Sequence, residues 1–223
     1  MAKYLIHTYP KRLWYVEEYL IPSLITQGIE KSQISVYNDN KCEGNLRACM
    51  RAFLTVPFDD GGTWHLQDDV CICKRFKELT ELYDSGLVCG FSSEMYDGPG
   101  KIGAVRTKEM WFSFPCIRIP NAYAVACANW TFNELIGNLI YKNFWIDGKN
   151  DDWAFRAYIK AFHKDAIALN LAPNLVDHVD YLLGGGTGIS KREKPCRAQY
   201  WWDDDNSVEE LEHKIKSSPH FKE

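Results

Sequence analysis

Apolar residues recur along this chain in two rhythms, and each change of rhythm marks an element. KYLIHTY is short, apolar and rich in β-formers, which predicts a strand. After Pro10, LWYVEEYLIPSLITQGI sets Leu13, Val16, Leu20 and Leu24 at helical spacing. Pro22 is placed to kink or split that helix and Gly28 to stop it. ISVYND reads as a second strand ending in Asn38 and Asp39. Residues 44–54 read as a helix with Leu46, Met50, Phe53 and Leu54 on one side.

A turn at Asp59-Asp60-Gly61-Gly62 leads into GTWHLQDDVCICKRF, an apolar strand interrupted by a carboxylate pair. KRFKELTELYDSG then predicts an amphipathic helix closed by Gly86, and LVCGF a buried strand. Strands alternating with helices over the first 90 or so residues point to a parallel α/β sheet built from right-handed crossovers.

Residues 92–108 are Gly-rich and polar, which predicts a loop. WFSFPCIRIPNAYAVA reads as strand segments broken by Pro115 and Pro120, followed by a helix over about 131–141 capped by Asn129 or Thr131. NDDWAFRAYIKAFHKDA opens a further helix on Asn150-Asp151-Asp152, and ALNLAPNLVDHVDYL predicts a pair of short strands. GGGTG over 184–188 reads as a closing loop, lacking the strand and the GK[ST] ending of phosphate-binding loops, and the acidic end as a terminal helix or tail. The expected fold class is α/β: a single domain over 1–223 with a mostly parallel central sheet flanked by helices. No internal repeat or linker divides it.

Composition sharpens this picture. Hydrophobic residues at 46% and charged residues at 25% of 223 suit a globular chain. The net charge of −4 disfavours broad binding to nucleic acid. Lys191, Arg192, Lys194 and Arg197 form a local basic cluster that suits a diphosphate or an anionic acceptor, or a solvated loop. With no apolar run of about 18 residues and no leader-like start, a cytoplasmic protein without a membrane span is expected. The eight cysteines lack metal-finger spacing and read as reduced, mostly buried thiols, with Cys71 and Cys73 on one strand face. Trp64, Trp111, Trp130, Trp145, Trp153, Trp201 and Trp202 stand beside polar segments, where they can stack flat ligands or fill the core.

The chemistry-bearing residues cluster at strand ends. Asp68 and Asp69 follow an apolar strand, so they emerge at the carboxyl edge of the sheet, where open α/β folds bind ligands. Two adjacent carboxylates repel unless a cation or hydrogen bonds offset them, and hard oxygen donors suit Mg²⁺ or Mn²⁺ bridging a diphosphate. Asp151 and Asp152 open a helix. Capping accounts for one acid, while the second can take the proton of an attacking hydroxyl. His178 is a third metal ligand or a diphosphate donor, or a structural histidine. Asn38 and Asp39, with Thr8, Tyr9, Lys11 and Arg12 after the first strand, lie at the same edge and are candidate contacts for a base, ribose or phosphate. His7, His65 and His163 read as structural or surface residues.

In serial order, HTYPKR, YND, HLQDDV, NDDWAF and LVDHVDYLLGG resemble the GT-A fold glycosyltransferases over about residues 3–188. The resemblance implies a nucleotide-sugar half over about 1–95, an acceptor half over about 96–190 and a tail over about 191–223. It implies Asp69 as direct metal ligand, His178 as a ligand returning from a late strand, and Asp152 as base with Asp151 beside it. A residue two before Asp69 would reach ribose or metal through water. Here that residue is Gln67 rather than an acid, which leaves Asp68 to share the work. The implied cofactor is Mn²⁺ or Mg²⁺ and the implied donor a nucleotide sugar of the UDP-sugar type. The acceptor is left open among a glycan, a protein, a small molecule and a modified DNA base, the last as glycosylated in some phages. A nucleotidyltransferase and a non-catalytic sugar or nucleotide module are the other classes that these residues fit.

Overall fold

The strand and helix rhythms produce a layered α/β molecule. The computed structural model describes residues 2–91, 103–107, 115–137, 151–183 and 205–221. The first half runs β1 (Lys3–Thr8), α1 (Leu13–Tyr15), a π-helical stretch (Val16–Leu20), α2 (Ile21–Thr26), β2 (Ile34–Asn38), α3 (Asn45–Phe53), β3 (Gly62–Gln67), β4 (Val70–Ile72), α4 (Phe76–Leu82) and β5 (Leu87–Cys89). The second runs β6 (Gly103–Thr107), β7 (Cys116–Pro120), α5 (Asn121–Gly137), α6 (Asp151–Phe162), β8 (Ala168–Ala172), β9 (Val176–His178), α7 (Asp180–Leu183) and α8 (Asp205–Lys216).

Among the described residues, seven strands form one sheet in the order β2-β1-β3-β7-β5-β8-β6. β1 pairs in parallel with β2 and β3, and β5 with β8, whereas β7 and β6 run against their neighbours. The sheet is therefore mostly parallel, β1, β2, β3, β5 and β8 sharing one direction. Period-two alternation divides its side chains between two cores. Tyr4, Ile6, Trp64 and Leu66 face a core shared with Val16, Leu20 and Leu24 of the first helix and with Phe76 and Leu79 of α4. Leu5, Ile117 and Ile119 face the other core, made with α3, α5 and α6.

Pro22 lies in the first turn of α2, where a missing N–H is tolerated, and the wider π turn over Val16–Leu20 precedes it. The helix thus runs on through the proline. Its end is a Schellman motif: Gly28 adopts φ +82°, its N–H donates to Ile25 O, and Ile29 N–H donates back to Leu24 O.

Several expectations are corrected. Leu54 follows α3 and is exposed. Of the two roles left open for Trp64, it takes the core one, being fully buried. A strand, β6, lies within the expected loop over 92–108. α5 begins at Asn121, ten residues before the predicted start, because NAYAVACA carries apolar residues on its half-buried face as well as its buried one and so lacks the one-sided stripe that periodicity detects. β8 and β9 are not partners: β8 joins the large sheet, and β9 pairs antiparallel with β4 in a separate two-stranded sheet. The expected 184–188 loop, the basic cluster over 191–197, Trp111, Trp145, Trp201 and Trp202 lie outside the described residues.

Candidate functional site

The carboxylate pair interrupts its strand because the chain changes sheets there. β3 leaves the large sheet at Gln67, and β4 enters the small one at Val70, opposite His178. Asp68 and Asp69 occupy the handover, beside the carboxyl ends of β1 and β2. Asp39 N–H donates to Thr8 O at 2.7 Å, and Val179 N–H donates to Asp69 O at 2.7 Å. Backbone bonds thereby tie four strand ends to one place. A cleft of about 250 Å³ opens there. Thr8, Tyr9, Arg12, Asp39, Gln67, Asp68, Asp69 and His178, all candidates from the sequence, line it, together with Asp180.

Its charges are organised around Arg12, which is 4% exposed. Arg12 Nη1 donates to Asp68 Oδ1 at 3.0 Å and to Asp69 Oδ2 at 2.5 Å. Thr8 Oγ1 donates to Asp68 Oδ2 at 2.8 Å. His178 Nε2 lies 3.0 Å from Asp69 Oδ1, and its Nδ1 lies 3.2 Å from Asp180 Oδ1. Burial would raise both central carboxyls, and the outcomes diverge with their partners. For Asp69 the His178 and Arg12 charges outweigh burial and hold it well below the usual range. Asp68 is raised, because burial and the neighbouring Asp69 charge exceed the help from Arg12. The same two acids raise Arg12 against the effect of its own burial.

A divalent cation fits this donor set. Asp39, Asp68, Asp69 and Asp180 bring four carboxylates to a cleft whose described basic lining residues are Arg12, His7 and His178. His178 Nε2 and an Asp69 oxygen face one another at 3.0 Å, a contact that needs a proton or a cation between two acceptors. A carboxylate on the far ring nitrogen is the arrangement that orients a metal-binding imidazole, and Asp180 supplies it. Asp69 and His178 are the residues that could hold such an ion, through one carboxylate oxygen and one imidazole nitrogen.

The other candidates are placed less directly. Asn38 does not line the cleft, and its Nδ2 donates to Asn40 Oδ1 at 3.0 Å. Asp151 lies behind Gln67, whose Nε2 donates to Asp151 Oδ2 at 3.2 Å. Burial first, then the Asp152 charge, raises the Asp151 carboxyl to about 6. Asp152 is more open, with Oδ2 3.8 Å from Arg156 Nη2. The N-terminus of α6 thus abuts the cleft through Asp151. Sequence reasoning passed over Asp180 and His7, both in the cleft wall. The available signals were an acid two residues after His178 and a histidine at the same strand end as Thr8.

Comparison with known proteins adds little to this geometry. No protein family matches the chain, and no curated protein does. Among solved structures, HddC from Yersinia pseudotuberculosis matches at 12% identity and a TM-score of 0.29, over 56% of this chain and 80% of that one. A likeness of that size carries no argument.

Proposed function

We propose that the cleft binds a nucleotide sugar of the UDP-sugar type with Mn²⁺ or Mg²⁺, and that the protein is a glycosyltransferase moving the sugar to an acceptor hydroxyl. The observation that carries this reading is the meeting of Asp69 and His178, 109 residues apart, in a carboxylate-rich cleft at the carboxyl edge of an α/β sheet. When bound, the ion would neutralise the donor diphosphate and its leaving charge. Arg12 supplies a fixed positive charge beside the same phosphates, and Tyr9 a ring in the cleft wall. Asp39 offers a carboxylate to ribose hydroxyls. At the acceptor side, Asp152 takes the hydroxyl proton as that oxygen bonds to the anomeric carbon, and the bond from that carbon to the diphosphate oxygen breaks. Asp151, joined to Gln67, positions this end of α6 against the cleft.

Calorimetric titration with UDP tests the reading: binding is expected to tighten with Mn²⁺, and Asp69→Ala to abolish that dependence. An unchanged metal dependence in Asp69→Ala removes Asp69 from its role. Products separate the classes, since pyrophosphate released from a nucleoside triphosphate would mark nucleotidyl transfer, and a bound but never cleaved UDP-sugar a binding module.

A further inference from the structure

Beneath the cleft, on the sheet face covered by α3 and α6, we infer a second metal site of different chemistry, in which His7, His65 and Cys49 take Zn²⁺ with Asp151 beside them. The strands dictate the pairing. Parallel register sets His65 opposite Leu5 and Gln67 opposite His7, so the two histidines lie diagonally on one face, within reach of each other. α3 crosses that face and turns Cys49 inward. His7 Nδ1 lies 2.7 Å from His65 Nε2, and Cys49 Sγ lies 3.9 Å from the same Nε2. The three donor atoms fall within 4.8 Å of one another, and all three residues are buried.

Two imidazoles and a thiol form a borderline-soft set that suits Zn²⁺ and not the hard ions expected at Asp69. Zinc bonds of about 2.0 to 2.3 Å in tetrahedral geometry separate ligand atoms by about 3.5 Å. The two observed contacts to His65 Nε2, 2.7 and 3.9 Å, lie within an ångström of that, and the widest spacing of the three atoms must close by about 1.3 Å. Charge also balances. Zinc binding displaces the thiol proton to solvent and leaves a thiolate, and Asp151, in hydrogen-bond contact with Cys49, offers a second negative group. Without an ion, the His7 and His65 rings are hydrogen-bonded and stacked at 4.8 Å, so a purely structural histidine pair is the competing account.

Cobalt substitution of the chelator-stripped full chain decides between them. One equivalent of Co²⁺ is expected to give the intense near-ultraviolet thiolate band, which Zn²⁺ then abolishes. Cys49→Ser is expected to lose the band, while Cys42→Ser, altering the exposed thiol of the cleft, and Asp69→Ala are expected to keep it. Absence of the band in the unaltered chain, its survival in Cys49→Ser, or its loss in Cys42→Ser or Asp69→Ala overturns the proposal. Should Cys49→Ser fail to fold, X-ray absorption of the zinc-loaded unaltered chain decides: one sulfur at about 2.3 Å with nitrogen or oxygen at about 2.0 Å supports the site, and a shell without sulfur overturns it. The readout is independent of UDP binding, so either metal site can fail without the other.

Discussion

Arg12 and Asp151 show opposite ways of keeping a buried carboxylate. Arg12 holds Asp68 and Asp69 together, and Arg12→Ala would leave buried charge uncompensated, a change that typically costs about 3–5 kcal/mol. In metal-free buffer that loss should appear as a lower urea midpoint at pH 7. The depressed Asp69 carboxyl contributes stability above its unfolded value of about 4, lost as pH falls through the folded value, so the gap between Arg12→Ala and the unaltered chain should narrow in acid. Asp151 has the other sign. Its carboxyl is raised to about 6, so its contribution is favourable below about pH 4 and is lost as pH climbs through about 6. Asp151→Asn should therefore stabilise the metal-free chain by about 3 kcal/mol at pH 7 and by under about 1 kcal/mol at pH 4, as read by chemical denaturation at both values. The strand-end acids were legible because an apolar run ending in Asp-Asp has few physical explanations. Arg12 was legible only as a nearby base, since its burial between the two acids depends on how the first helix packs against β4.

Elements with their own punctuation were read correctly, and elements defined by tertiary context were not. β1, β2, α3 and α6 carry local signals, a β-former run or a helix-opening residue, and they stand where the pattern put them. α5 does not, because apolar residues on its half-buried face as well as its buried one erased the stripe, and β4 and β9 look like extensions of other strands until pairing assigns them to a second sheet. Gly86 measures what punctuation is worth. It adopts φ +67° after α4, and an added Cβ would meet nothing within 4 Å, so Gly86→Ala isolates backbone strain. The expected cost is about 1–2 kcal/mol in thermal or urea unfolding, without effect on UDP binding.

Across the whole molecule, the sheet is the device that converts distance in sequence into proximity. Its two faces divide labour. One buries Tyr4, Ile6, Trp64 and Leu66 against the first helix, while the other carries His7 and His65 under α3. The α/β class was readable from alternation alone. Strand order was not, because β7 inserts antiparallel between β3 and β5, and nothing in a local window reports which neighbour a strand will choose.

The pairing of β4 with β9 has a consequence for biosynthesis. As the chain leaves the ribosome, Asp68 and Asp69 emerge early, while His178 and Asp180 follow only after more than a hundred further residues. A nascent chain with its first strands already folded would thus still lack half of the proposed cation-binding wall, and competence to take a charged ligand would arrive late in synthesis, when the small ribbon closes.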